Sequence, residues 1–333
     1  MKKAVIYGKG DLKITTMEIP RVTPGKVLIR TSFCAVCGTD LHVLEGNFPV
    51  GYPYFPGHEC SGIVQEIGEG VTSLRAGDRV TWIPMANPCG ACVFCRAGKP
   101  NFCLVRNRRE LGGFAEYALM EERQVYPLPA GVSLKAGALM EPLSIAVHAL
   151  DYANVRVGDR VVIIGGGAIG LLLLQLVLRS GAHTVILSEP DEMRRTVAKR
   201  FGAHATVDPM REDLNEIVLA HTGGLGPDVV FEAAGVPQTC EQSVLLAKRG
   251  GTVMFVGVVP PERKVQLSHF EIFSKELIIR GVAANFQTYG RAVQMLERLD
   301  LDSLVTHEFD LKELAAALEF FKTREGIKIL IRC

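Results

Sequence analysis

The segment VVIIGGGAIGLL limits the fold more than any other stretch of the 333-residue chain. Gly165, Gly167 and Gly170 stand in G-x-G-x-x-G spacing, after a buried-type strand at Arg160 to Ile164 and before an apolar helix expected over Ile169 to Ser180. Each glycine has its own task in such a turn: a tight bend, close backbone approach to a pyrophosphate, and close packing of helix on strand. The helix N-terminus offers unpaired N–H groups and a positive dipole to the phosphates. Glu189 ends the next strand, Thr184 to Ser188, at the distance where a carboxylate can accept hydrogen bonds from a ribose diol. It would repel a 2′-phosphate, which favours NAD over NADP. Arg194 and Arg195 pull the other way, since an arginine can pair with that phosphate.

The surrounding texture agrees. A charged helix is expected at Glu192 to Phe201, short apolar strands at Val229 to Glu232 and Thr252 to Val256, and a helix at Gln238 to Ala247. Alternating strands and helices make a parallel, doubly wound sheet. The first 140 or so residues differ, with short β-rich segments at Lys26 to Arg30, Gly62 to Ile67 and Arg79 to Trp82 among prolines and glycines. That pattern suits a partly open barrel. Helices at Tyr289 to Arg298 and Leu311 to Arg324 and a strand at Lys328 to Ile331 follow. The chain is too long for one ordinary core. We therefore expect domains at 1–150 and 151–285, with 286–333 returning to the first.

Charge and composition remove several classes of function. A formal net charge of +1 gives no broad field for nucleic acid or an anionic membrane. The longest apolar run, Leu171 to Leu178, is far short of the ~20 residues of a membrane span. The N-terminal MKKAVIYGKGDLK lacks the apolar core of a signal peptide, so a cytoplasmic location is expected. In that reducing compartment the nine cysteines read as metal ligands before disulfides.

Cys89, Cys92, Cys95 and Cys103 form C-x2-C-x2-C-x7-C within NPCGACVFCRAGKPNFC. Four thiolates so close in sequence can close a tetrahedral zinc shell, which leaves no open position and is structural. An iron–sulfur cluster is the competing reading. CGTDLH (Cys37 to His42) and GHECSG (Gly57 to Gly62) suggest a second, open site. Cys37 and His58 bring one soft and one borderline ligand, and Glu59 or Glu141 can add a third, leaving room for water or substrate. In a regular strand His58 and Cys60 would face one side and Glu59 the other, so Cys60 is a reserve ligand.

CGTDLH, GHECSG, the four-cysteine lobe, GGFAEY (Gly112 to Tyr117), EPLSIAVHAL and VVIIGGGAIGLL occur in the order seen in zinc-containing medium-chain alcohol dehydrogenases. The chain resembles that family over essentially its whole length. EPLSIAVHA and the ending ALEFFKTREGIKILIRC are most similar to the sorbitol (polyol) dehydrogenase branch. The resemblance implies a GroES-like catalytic domain, a Rossmann coenzyme domain, and a homo-oligomer, either tetramer or dimer. It implies that Cys37, His58 and Glu59 bind the catalytic zinc, with Glu141 contacting the metal or its water. It makes Thr39 the hydroxyl that receives the substrate proton and His42 the outer relay member. Ile169, Glu189, Arg194, Val256 and Gly257 would join the three glycines as cofactor contacts, with further contacts near Ala283 to Asn285. There the sequence departs from the arginine and tyrosine of sorbitol enzymes, which leaves the polyol open. The implied reaction takes hydride from a secondary alcohol to NAD and yields a ketone. Threonine and butanediol dehydrogenases share these motifs. Retention of Cys37, His58, Glu59 and Glu141 argues against a nucleotide-binding relative without zinc catalysis, and near-neutral charge argues against a zinc-finger nucleic-acid binder.

Overall fold

The computed structural model describes residues 1–83, 88–105, 112–283 and 286–333. In chain order its first strands are β1 (Lys2–Gly8), β2 (Asp11–Thr16), β3 (Lys26–Ala35), β4 (Glu59–Ile67), β5 (Arg79–Trp82), β6 (Tyr117–Glu121) and β7 (Val125–Pro127). They are followed by β8 (Arg160–Ile164), β9 (Thr184–Ser188), β10 (Ala205–Val207), β11 (Val229–Glu232), β12 (Thr252–Phe255), β13 (Ile278–Gly281), β14 (Val305–Asp310) and β15 (Lys328–Arg332). The helices that matter to the site are α1 (Gly38–Leu44), α2 (Val93–Arg96), α3 (Leu134–Ala138), α4 (Met140–Ala153), α5 (Ala168–Arg179) and α6 (Glu192–Arg200). No helix among the described residues is long and apolar enough to cross a membrane.

The chain divides into two compact units, one of Met1–Ser144 with Asn285–Cys333 and one of Ile145–Ala284. The first division falls inside α4, not at the change of texture near residue 150. Texture marks where a helix ends, whereas packing is shared along the helix.

In the discontinuous unit, β1 and β2 form a hairpin beside a seven-stranded sheet of order β14-β15-β3-β4-β5-β7, with β6 on β3. β3 is the hub: it pairs antiparallel with β4, β6 and β15. Its inward residues Val27 and Ile29 join Val64, Val80, Trp82, Phe114 and Ile329 in the core. Leu314 and Leu318 of the helix Leu314–Thr323 seal the same cluster, so the C-terminal segment supplies both strand and cover.

The continuous unit is a six-stranded parallel sheet, β10-β9-β8-β11-β12-β13. The winding direction reverses at β8, and such a switch point opens a crevice at the strand ends. The three glycines follow β8 directly. Val162, Ile164, Ile186, Val230 and Val253 are all buried, the all-apolar habit of strands covered on both faces.

Candidate metal centres and nucleotide loop

The lobe cysteines converge. The sulfurs of Cys89, Cys92, Cys95 and Cys103 all lie within 4.8 Å of one another, with Cys89 Sγ and Cys95 Sγ 4.0 Å apart. One ion with bonds of about 2.3 Å sets tetrahedral sulfurs roughly 3.8 Å apart. A cluster whose irons each take one thiolate would hold them further apart, so the spacing fits a single ion. The single turn α2 carries Cys95, and the backbone N–H groups of Cys89 and Cys92 donate to Cys103 Sγ and Cys89 Sγ, each at 3.3 Å.

The second group joins Cys37, His58 and Glu59, whose ligand atoms also lie within 4.8 Å of one another. Cys37 is the residue before α1. His58 precedes β4, which begins at Glu59, and Gly57 has a φ of +94°. A Cβ at Gly57 would lie 2.6 Å from the Phe114 backbone nitrogen, so only glycine fits this bend. The bend is why neighbouring residues reach one point, which regular alternation would forbid. Cys60 obeys the alternation instead. It turns away into the core, 3.6 Å from Cys34 Sγ on β3, and does not belong to the group.

Two residues that sequence reasoning passed over order this centre. Asp40, almost fully buried, accepts from the N–H groups of Cys37 and Gly57, each at 3.0 Å, and lies 3.7 Å from His58 Nδ1. It therefore ties the two ligand segments together and places a negative charge beside the imidazole. Lys328, first residue of β15, is also buried and donates from Nζ to Glu59 Oε1 at 2.6 Å and to Val36 O at 3.1 Å. The signal in sequence is a lysine heading an otherwise apolar strand, KILIR.

Charges shape the centre. Burial alone would lower His58, but the Cys37 and Asp40 charges outweigh it and raise its pKa well above the ordinary range. Burial raises Glu59 despite Lys328. Burial likewise pushes Glu141, near the start of α4, up to about 7. Glu141 interacts electrostatically with His58 and Glu59 but stands outside the three-ligand group. The buried Glu59 Oε2 makes no well-aligned hydrogen bond, although Lys328 Nζ stands 2.5 Å from it. A thiolate, an imidazole and a carboxylate brought to one point fit a zinc ion.

Thr39 and His42 sit three residues apart on α1, hence on one face. Thr39 Oγ1 is 3.8 Å from Cys37 Sγ, and His42 Nδ1 is buried without a partner. Tyr289, fully buried and stacked near Tyr126 at 6.3 Å between ring centres, is a further unforeseen neighbour, raised by burial and then by Glu141.

In the continuous unit the glycine loop has the geometry that its spacing requires. Gly165 has a φ of +104°, and a Cβ at Gly170 would lie 1.8 Å from Gly165 O. Gly167 instead borders open space, with nothing within 4 Å of where a Cβ would be. That is room for a phosphate at the N-terminus of α5. Glu189 is buried, with Oε2 accepting from Gly166 N at 2.6 Å and Oε1 from Asp191 N at 3.1 Å. Each oxygen keeps acceptor capacity for a sugar hydroxyl. Arg194 Nη1 lies 3.7 Å from Glu189 Oε1. Arg195 is committed elsewhere: it donates to Glu189 O and Pro190 O and pairs with Asp208 at 3.3 Å. Ile169 lies on the first turn of α5. Val256 and Gly257 donate from their N–H groups to Glu232 O at 2.8 and 2.9 Å, which fixes the end of β12. Of the stretch from Ala283 to Asn285, residues 284 and 285 lie outside the described residues.

Comparison with known proteins agrees with this construction. The alcohol dehydrogenase GroES-like domain family matches residues 23–130, and the zinc-binding dehydrogenase family matches residues 168–298. Sorbitol dehydrogenase of Halalkalibacterium halodurans is 35% identical, with 99% of each chain covered. D-arabinitol dehydrogenase 1 of Uromyces fabae is 34% identical, over 99% of this chain and 96% of that one. Among solved structures, a zinc-binding dehydrogenase from Sinorhizobium meliloti 1021 bound to NADP superposes with a TM-score of 0.93 at 36% identity, covering 100% of this chain and 99% of that one. The two folds and their sites define a zinc- and nicotinamide-dependent oxidoreductase. The chain belongs to the zinc-containing medium-chain alcohol dehydrogenase family, on its polyol dehydrogenase branch.

Proposed function

We propose that the protein is an NAD-linked polyol dehydrogenase that oxidises a secondary hydroxyl to a ketone. The observation that carries this reading is the convergence of Cys37, His58 and Glu59, one thiol, one imidazole and one carboxylate, with Glu141 near by. The sorbitol and arabinitol dehydrogenases among its relatives support a polyol as substrate.

Cys37, His58 and Glu59 hold the catalytic metal, Glu141 contacts it or its water, and the lobe cysteines hold the structural ion. Bound zinc supplies Lewis acidity to a substrate oxygen. Asp40 places a negative charge beside the His58 imidazole and holds the Cys37 and Gly57 segments together. The Thr39 hydroxyl can accept one proton while donating another, so it takes the substrate's proton and passes it to His42, whose Nδ1 is unpartnered. The glycine loop and the α5 N-terminus bind the pyrophosphate, Ile169, Val256 and Gly257 line the coenzyme, and Glu189 takes the adenosine ribose. Arg195 is tied to Asp208, which supports NAD. A second reading, NADP, is favoured by Arg194 beside Glu189 and by the coenzyme in the Sinorhizobium structure.

The catalytic part is assigned to 1–150 with 286–333 and the coenzyme part to 151–285, bounds within six residues of the compact units at 1–144 with 285–333 and 145–284. Homo-oligomerisation is supported by β13, an edge strand bearing exposed Ile278 near exposed Phe270 and Phe273. Unpaired cysteines throughout the chain support a cytoplasmic location. A panel of polyols, vicinal diols and L-threonine with NAD or NADP, read at the reduced-coenzyme absorbance, tests the proposal. Turnover of L-threonine with none of polyols would overturn the substrate reading.

A further inference from the structure

We infer that Lys328 is a positioning residue that competes with the catalytic metal for the Glu59 carboxylate and so keeps that metal exchangeable. The inference rests on the metal-site reading above. Both Glu59 oxygens lie close to Lys328 Nζ, at 2.6 Å for Oε1 and 2.5 Å for Oε2, so the ammonium sits across the carboxylate. The ammonium cannot follow Glu59 freely. It also donates to Val36 O, and Val36 N is bound in turn to Ile329 O at 2.9 Å, which pins the lysine between the Cys37 segment and β15. Glu59 is 1% exposed and Lys328 5% exposed, so water does not substitute for either partner.

The sign of the effect follows from charge. An outer partner that accepts a proton from a ligand makes that ligand a better donor, and its loss typically weakens metal binding about 10–100-fold. Asp40, 3.7 Å from His58 Nδ1, acts in that direction, because its negative charge makes the imidazole more basic. Lys328 is the opposite. It is a cation that withdraws charge from the carboxylate and stands near the position of a dication. In the metal-free centre it compensates the buried Glu59, and in the loaded centre it repels the ion. It therefore stabilises the empty centre relative to the full one, whereas a merely structural lysine would, on removal, loosen the metal.

Zinc release from the loaded full-length protein into a chromophoric chelator at pH 8 tests this. The phase missing in Cys37→Ser identifies the open centre, and the remaining phase is the lobe. Lys328→Met should slow the open-centre phase by about tenfold or more, the same size as other outer-partner effects but of opposite sign, and leave the lobe phase unchanged. Open-centre release that is unchanged or faster in Lys328→Met overturns the proposal. If that variant does not fold, Lys328→Arg decides. Its guanidinium can grip both carboxylate oxygens, so release should be at least as fast as in the wild type, and slower release refutes the competition. One zinc per wild-type chain with only the lobe phase would remove the open centre itself and the function built on it. That result is distinct from two zinc ions with unaltered release.

Discussion

Glu189 joins the coenzyme loop to the coenzyme choice, and Glu189→Ala separates the two roles. The carboxylate is buried and accepts from Gly166 N at 2.6 Å and Asp191 N at 3.1 Å. Removing it deletes the ribose partner of NAD; a hydrogen bond to a charged group contributes about 1.5–3 kcal/mol, or about ten- to a hundredfold in Kd. For NADP the change is favourable. One phosphate charge about 5 Å from a carboxylate costs about 3 kcal/mol at an effective dielectric of about 20, and that repulsion disappears. Arg194, 3.7 Å from the carboxylate, would be released to pair with the phosphate. The ratio of the two dissociation constants should therefore shift towards NADP by about three orders of magnitude. Isothermal titration calorimetry with NAD and NADP on both proteins measures the ratio directly. The two freed backbone N–H groups add a stability loss of about 1–3 kcal/mol that thermal melting records separately. If Glu189→Ala weakens both coenzymes equally, the carboxylate only braces the loop and the selectivity argument fails.

Cys37→Ser should leave a folded protein that binds NADH but has lost nearly all turnover and one of two zinc ions, whereas Cys95→Ser should lower the melting temperature first. Elemental analysis with melting distinguishes them, and full turnover with two zinc ions in Cys37→Ser would refute the assignment. Gly170→Ala should abolish coenzyme binding, because its Cβ would lie 1.8 Å from Gly165 O; wild-type NADH affinity would show that the loop can widen at no cost. Burial would raise Asp228, but hydrogen bonds from Lys248 and Arg160 N–H outweigh it and hold the carboxyl below its ordinary value of 3.8. Its folded-state pKa is depressed, so its stabilisation is present above the unfolded value and is lost as pH falls through the folded one. Asp228→Asn should therefore cost about 1–2 kcal/mol at pH 7 in urea melts, and the gap should close as pH falls below about 4; a gap independent of pH would refute the charge assignment.

Local signals carried most of what was legible in the sequence. Arg79–Trp82, Arg160–Ile164, Thr184–Ser188 and Val229–Glu232 have the bounds that alternation and apolar runs indicate. The expected helix over Tyr289 to Arg298 relaxes to a 3₁₀ turn at Leu296–Arg298, and that over Leu311 to Arg324 begins with one at Leu311–Glu313. β3 runs on to Ala35 and β4 starts at Glu59, beyond the expected Arg30 and before the expected Gly62. Those extensions are stabilised by pairing with each other and with β15, which no local pattern records. The same limit applies at the centre. Four cysteines close in sequence announce themselves, but Lys328 meets Glu59 across 269 positions. The Gly57 bend, not strand periodicity, decides that Glu59 and not Cys60 faces Cys37.

The interrupted unit also sets an order of assembly. β15 is synthesised after every other described strand, yet it pairs with β3, near the beginning, and carries the lysine that neutralises Glu59. The inserted unit, residues 145–284, holds its whole parallel sheet in one continuous stretch and can collapse on the ribosome while the barrel is still waiting for its last strand. Until then the barrel presents β3 with an open edge, the kind of surface on which chaperones act and aggregation begins. Truncation within the final strand should therefore be far more damaging than its few residues suggest, because it leaves the earliest-made half of the molecule permanently unfinished.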